Sequence, residues 1–186
     1  MIAKKIIKSK QSKPVVVAVS GFFNPLHVGH LEMIHKAKQL GDKLVVIVNN
    51  DKQVKLKNRV PFMSEKDRMK IVWALRDVDQ VVLAIDDYKF PNGEIPVIKT
   101  LAKIKPHIFA NGGDRHNIVN VPEYDICKKL KIKLIDGLGK KIRASSQMIA
   151  NAAALKGQQT TEIKSREKKR GEKLTRNQKK TEKKKK

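Results

Sequence analysis

Short, mostly apolar runs alternate along this chain with longer stretches in which apolar residues return every three or four positions. Val15 to Val19, Leu44 to Val48, Val81 to Ile85, His107 to Ala110 and Ile132 to Ile135 are the short runs. Each is bounded by turn residues and rich in β-branched side chains, which predicts buried strands. Between the first two, Leu31, Ile34, Ala37 and Leu40 recur at helical spacing until Gly41. Asn49, Asn50 and Asp51 mark an exit into a loop expected to run to Phe62. Ser64 sits three residues before Asp67, an approximate capping box, and Met69, Val72, Trp73 and Leu75 continue a helix. Pro96 opens a helix with Val97, Leu101 and Ile104 on one face, ended by Pro106. Pro122 opens another through Leu130, and a last helix follows Ser145 and Ser146.

Five apolar strands separated by helices imply right-handed crossovers and a parallel sheet covered on both faces. The expected class is therefore α/β, a Rossmann-like, doubly wound, five-stranded parallel sheet. Ligands of such sheets bind at the carboxyl ends of the strands. The loops after each strand are the polar ones here, so the chemistry is expected in them.

Charge refines the domain plan. The chain has 186 residues and a formal charge of +24, with one Cys and one Trp. Residues 1–13 carry five Lys and no acid, and residues 156–186 carry 14 basic and four acidic residues. The middle, 14–155, holds nearly all the large apolar side chains and is expected to be one globular domain. Residues 1–13 are expected to be a flexible basic arm, and 156–186 a disordered Lys-rich tail too poor in apolar surface to offset the entropy of ordering. One Cys cannot form an intrachain disulfide, no apolar run reaches the length of a membrane span, and the start lacks the pattern of a signal peptide. A cytoplasmic chain is expected.

The most informative stretch is Gly21-Phe22-Phe23-Asn24-Pro25-Leu26-His27-Val28-Gly29-His30, running straight into a helix. A helix start exposes unpaired N–H groups and a partial positive charge, which attract anions. Two imidazoles three residues apart share one face there and can donate to phosphate oxygens. Gly29 between them lets a ligand approach the backbone. An arbitrary pair of this spacing is more often a cap or a metal site. The strand before it and the helix after it favour the anion-binding alternative.

This stretch resembles the G-x-F-D-x-x-H-x-G-H signature of the cytidylyltransferase-like nucleotidyltransferases, and is similar to glycerol-3-phosphate cytidylyltransferase and heptose 1-phosphate adenylyltransferase. The resemblance continues through Asn49-Asn50-Asp51, the Lys55 to Arg59 loop, Glu65 to Arg68, Gly112-Gly113-Asp114 and the Ser-Ser helix start. It implies that an acceptor phosphate attacks the α-phosphorus of CTP or ATP and that pyrophosphate leaves. The acceptor is then a phosphorylated small molecule such as a polyol, sugar or head-group phosphate.

Site roles follow from the same resemblance. His27 and His30 are the expected catalytic donors at the α-phosphate, with Lys55 or Lys57 neutralising charge in the transition state. Gly21, Phe22, Phe23, Asn24, Gly29, Arg68, Arg143, Ser145 and Ser146 are the expected nucleotide contacts, and Asn50, Asp51, Gly113, Asp114 and Arg115 the expected acceptor contacts. Magnesium is expected on the triphosphate, held by phosphate oxygens and water, with no protein metal site. A homodimer is expected by resemblance. Two departures stand out: Asn24 where the signature most often has Asp, and Ala144-Ser145-Ser146 where three hydroxyls are usual. His35, Trp73 and Cys127 are expected to be structural.

Two other readings compete. His27 to His30 and Lys140 to Ser146 echo the signatures of class I aminoacyl-tRNA synthetases, but the chain is too short for an anticodon domain. A non-enzymatic binder of nucleic acid or anionic surfaces, led by the tail, is the alternative from another class; without interleaved aromatics its binding would be weak and sequence-blind.

Overall fold

A computed structural model describes residues 13–112, 118–139 and 144–156. The chain divides into two compact units, 1–143 and 144–186. In the first, strands β1 (Val16–Gly21), β2 (Lys43–Val48), β3 (Gln80–Leu83), β4 (Ile108–Gly112) and β5 (Lys133–Leu138) form one sheet in the order β3-β2-β1-β4-β5. Every neighbouring pair is parallel. Strand order reverses beside β1, so the crevice between the carboxyl ends of β1 and β4 is the switch point where such sheets bind ligands.

Residues alternate faces along each strand, and both faces are buried. Val17, Val19, Leu44, Val46, Val48 and Ala110 point to one core. There they meet Met33, Ile34 and Ala37 of α1 (Val28–Lys38) and Val72 of α3 (Glu65–Trp73). Ala18, Val45, Ile47 and Phe109 point the other way, to Leu101 of α4 (Ile98–Ile104) and Cys127 of α5 (Tyr124–Lys129). The doubly wound parallel sheet expected from the apolar runs is what the chain adopts. Gly41 closes the turn after α1 because an added Cβ there would lie 2.8 Å from the Val15 carbonyl oxygen.

Several boundaries differ from expectation. The expected loop after β2 contains a helix, α2 (Asp51–Leu56). Its start is a capping box, with the Gln53 N–H donating to Asn50 Oδ1 at 2.8 Å and the Asn50 N–H donating to Gln53 Oε1 at 3.2 Å. Strand β5 runs three residues past Ile135. On α1 the buried stripe is Met33, Ile34 and Ala37, while Leu31 faces out. Trp73 is not a core residue: at 59% exposure it stands on the outer side of α3, with Val72 taking the buried position. Ser64 caps α3 as expected, accepting from the Asp67 N–H. Among the described residues no helix is long and apolar enough to cross a membrane.

The second unit contributes a helix over residues 145–156, with the Gln147 and Met148 N–H groups donating to the Ala144 carbonyl.

Candidate active site

The loop from β1 to α1 is held in shape by its own packing and by elements that follow much later. Gly21 has no room for a side chain, since a Cβ would come 2.7 Å from Cζ of Phe23. Phe23 is buried with φ of 47°, and its ring meets the His30 ring edge-on, 4.9 Å between centroids. The Asn49 N–H donates to the Gly21 carbonyl at 3.0 Å. Asn24 Oδ1 accepts from the N–H of Phe62 at 2.7 Å and of Met63 at 3.3 Å. Asn24, expected at the nucleotide, ties the loop to the entry of α3. An acceptor oxygen suffices for it, so Asn serves where the signature has Asp.

His27 is the N-cap of α1 and His30 lies in its first turn. Their rings stack, 3.8 Å between centroids and 19° from parallel, and the His27 N–H donates to His30 Nδ1 at 3.3 Å. Burial, and next the neighbouring His27, push His30 down from 6.5 to about 4. It is neutral at pH 7. With Nδ1 accepting, the ring proton of neutral His30 sits on Nε2, which leaves that atom as a donor. The spacing of the two histidines thus yields a stacked pair at a helix N-terminus, one member of which is a fixed neutral donor.

Arg68 lies at the centre of the supporting network. Its side chain is 0% exposed. Nη1 donates to the carbonyls of Phe22 at 2.6 Å and Asn49 at 2.7 Å, Nε to that of Met63 at 3.3 Å, and Nη2 to Asp51 Oδ1 at 2.6 Å. Asp51 and Glu65 exchange further bonds, each accepting from the other's N–H. Arg68, expected at the triphosphate, and Asp51, expected at the acceptor, pair with each other and join α2, α3 and the β1–α1 loop. Asn50, likewise expected at the acceptor, caps α2 and donates through Nδ2 to the carbonyls of Ala84 and Asp86, both at 2.8 Å.

Lys57, the C-cap of α2, extends its ammonium over the Phe22 ring, 4.5 Å from the centroid, whereas Lys55 is exposed in the last turn of α2. Gly29 lies in the first turn of α1. Ser145 and Ser146 open the helix of the second unit. Gly113, Asp114, Arg115 and Arg143 lie outside the described residues, as do most of the basic arm and tail. Sequence reasoning missed Asn49, Gln53 and Asp86 as buried polar supports of this region; Asn50 followed three residues on by Gln53 was the available sign of a capped helix.

The family model for cytidylyltransferase-like proteins matches residues 18–166 of this chain, the loop, the histidine pair and the second unit's helix included. The chain belongs to the cytidylyltransferase-like family. It is a nucleotidyltransferase. Among relatives, FAD synthase of Pyrococcus abyssi is 38% identical over 124 residues, 66% of this chain and 74% of that protein. FAD synthase of Ferroglobus placidus is 39% identical over 100 residues, 54% of this chain and 60% of that protein. A solved structure described as the lipopolysaccharide core biosynthesis protein of Thermoplasma volcanium superposes with a TM-score of 0.53 at 26% identity, over 68% of this chain and 98% of that one.

Cys127 is buried, and burial, with Glu123 next, pushes its thiol up to about 12. Among the described residues no group of three or more His, Cys, Asp or Glu is arranged to hold a metal.

Proposed function

We propose that this protein transfers the adenylyl group of ATP to the phosphate of flavin mononucleotide (FMN), forming FAD and releasing pyrophosphate. An oxygen of the FMN phosphate forms a bond to the α-phosphorus, and the bond from that phosphorus to the β-phosphate oxygen breaks. The observation that carries the chemistry is the stacked His27–His30 pair at the start of α1. Imidazole donors beside backbone N–H groups stabilise charge gathering on phosphoryl oxygens without a covalent intermediate. Lys57, poised over Phe22 in the same loop, is better supported than Lys55 as the neutralising cation. Ser145, Ser146 and Arg143 are proposed for the β- and γ-phosphates, and Gly113, Asp114 and Arg115 for the acceptor side.

The acceptor is drawn from the relatives named FAD synthase. It remains within the class the motifs imply, because FMN is a polyol phosphate, its ribityl chain carrying a ring. Magnesium would accompany the triphosphate and screen its charge.

The test is to incubate the protein with magnesium, FMN and either ATP or CTP, separating the flavins and measuring pyrophosphate. FAD and pyrophosphate should appear together with ATP only. Turnover with CTP, or pyrophosphate released only when a sugar or glycerol phosphate replaces FMN, would overturn the assignment.

A further inference from the structure

This chain is poor in aromatic residues, with five Phe, two Tyr and one Trp. Phe22, Phe23, Phe62, Tyr88 and Phe90 all lie in connections that follow the carboxyl ends of β1, β2 and β3. Phe23 is spent in packing against His30, and Phe22 lies under Lys57. Tyr88, which the Lys99 ammonium approaches, and Phe90 remain. They form an edge-to-face pair, 5.7 Å between centroids and 74° apart, on the half-buried part of the loop after β3.

That loop is built rather than slack. At its near end Asp86 is 0% exposed and accepts from the N–H groups of Lys99 at 2.7 Å and Thr100 at 3.1 Å, fastening it to the start of α4. Asn50 holds the Asp86 carbonyl from the α2 side. At its far end the Phe90 N–H donates to the Glu94 carbonyl at 2.8 Å and the Gly93 N–H donates back to Phe90 at 2.9 Å. The Lys99 ammonium stands 5.4 Å from the Tyr88 ring centroid. Two aromatic rings are thereby presented on a pinned backbone.

Their position selects a ligand. The crevice between β1 and β4 is the switch point and suits the nucleotide. β3 lies on the other flank of β1, two strands away, and its following loop leaves the same carboxyl edge of the sheet. A ring carried on a ribityl chain extends away from the attacking phosphate along that edge; a ring-free polyol phosphate has no use for aromatic partners there. We infer that Tyr88 and Phe90 form a stacking platform for the planar heterocycle of the acceptor. The inference rests on the flavin reading above and adds the residues that read the ring.

The experiment compares wild type with Tyr88→Leu, Phe90→Leu and Tyr88→Phe, each checked for folding by circular dichroism. FMN binding is followed by quenching of flavin fluorescence, and KM is measured separately for FMN and ATP. Each Leu variant should weaken FMN about tenfold, the usual size for losing one stacking partner, with KM for ATP unchanged. Tyr88→Phe should behave as wild type, and ribitol phosphate, which lacks the ring, should be used equally by all four proteins. FAD formed by both Leu variants with unaltered KM for FMN, or an equal loss of ATP affinity, refutes the platform and leaves the flavin reading intact. If wild type transfers adenylate to ribitol phosphate but neither binds nor converts FMN, the flavin reading itself fails and the platform falls with it.

Discussion

A histidine whose Nδ1 accepts a backbone hydrogen bond has its other nitrogen assigned for it. His30 is in that position, and its burial against Phe23 and His27 keeps it uncharged at neutral pH. Its role is then donation, and the size of that role can be stated. Replacing a single donor at a developing oxyanion typically costs about a hundredfold or more in turnover. His30→Ala should lower kcat of the ATP reaction at least that far while the thermal melt stays cooperative; steady-state assays beside calorimetry check both halves. The residue types and spacing of His27 and His30 made this pair legible in the sequence. Their stacking, and the bond that selects the tautomer, were not, because both depend on the turn made by Phe23 at positive φ.

At the scale of elements, the β1–α1 loop is shaped by helices that come later in the chain. Arg68 on α3 fixes the Phe22 and Asn49 carbonyls and pairs with Asp51 at the start of α2. Arg68→Met should destabilise the fold by about 3 to 5 kcal/mol, because it strands a part-buried carboxylate and several carbonyls. Arg68→Lys should recover little, since one ammonium cannot reproduce the guanidinium fork. Chemical denaturation of the two variants against wild type measures this. The strands were readable because each carries a short, largely apolar run. Helix α2 was not: in Asp51-Lys52-Gln53-Val54-Lys55-Leu56 only Val54 and Leu56 are apolar, and what stabilises it is a cap rather than a stripe. The full burial of Arg68 was not legible for a related reason: its partner Asp51 is 17 positions earlier.

Across the whole molecule, the depressed His30 value links proton uptake to stability. The folded form holds His30 near pH 4, while the unfolded chain protonates it near 6.5. As pH falls through that window the unfolded state takes up a proton the native state refuses, so stability declines; above 6.5 the contribution is complete and flat. Melting temperatures of wild type and His30→Gln, measured from pH 7.5 to 4, should keep a constant separation above 6.5 and draw together below it, with wild type the steeper. A parallel slope for the two proteins would sink this linkage. The lone tryptophan makes the choice of probe matter. Trp73 already meets water on the outer side of α3, so its emission in the native protein is close to that of a free indole and changes little when the chain comes apart. An optical melt read at that fluorophore would follow one helix surface and miss both cores, whereas heat capacity or far-ultraviolet ellipticity follows the sheet.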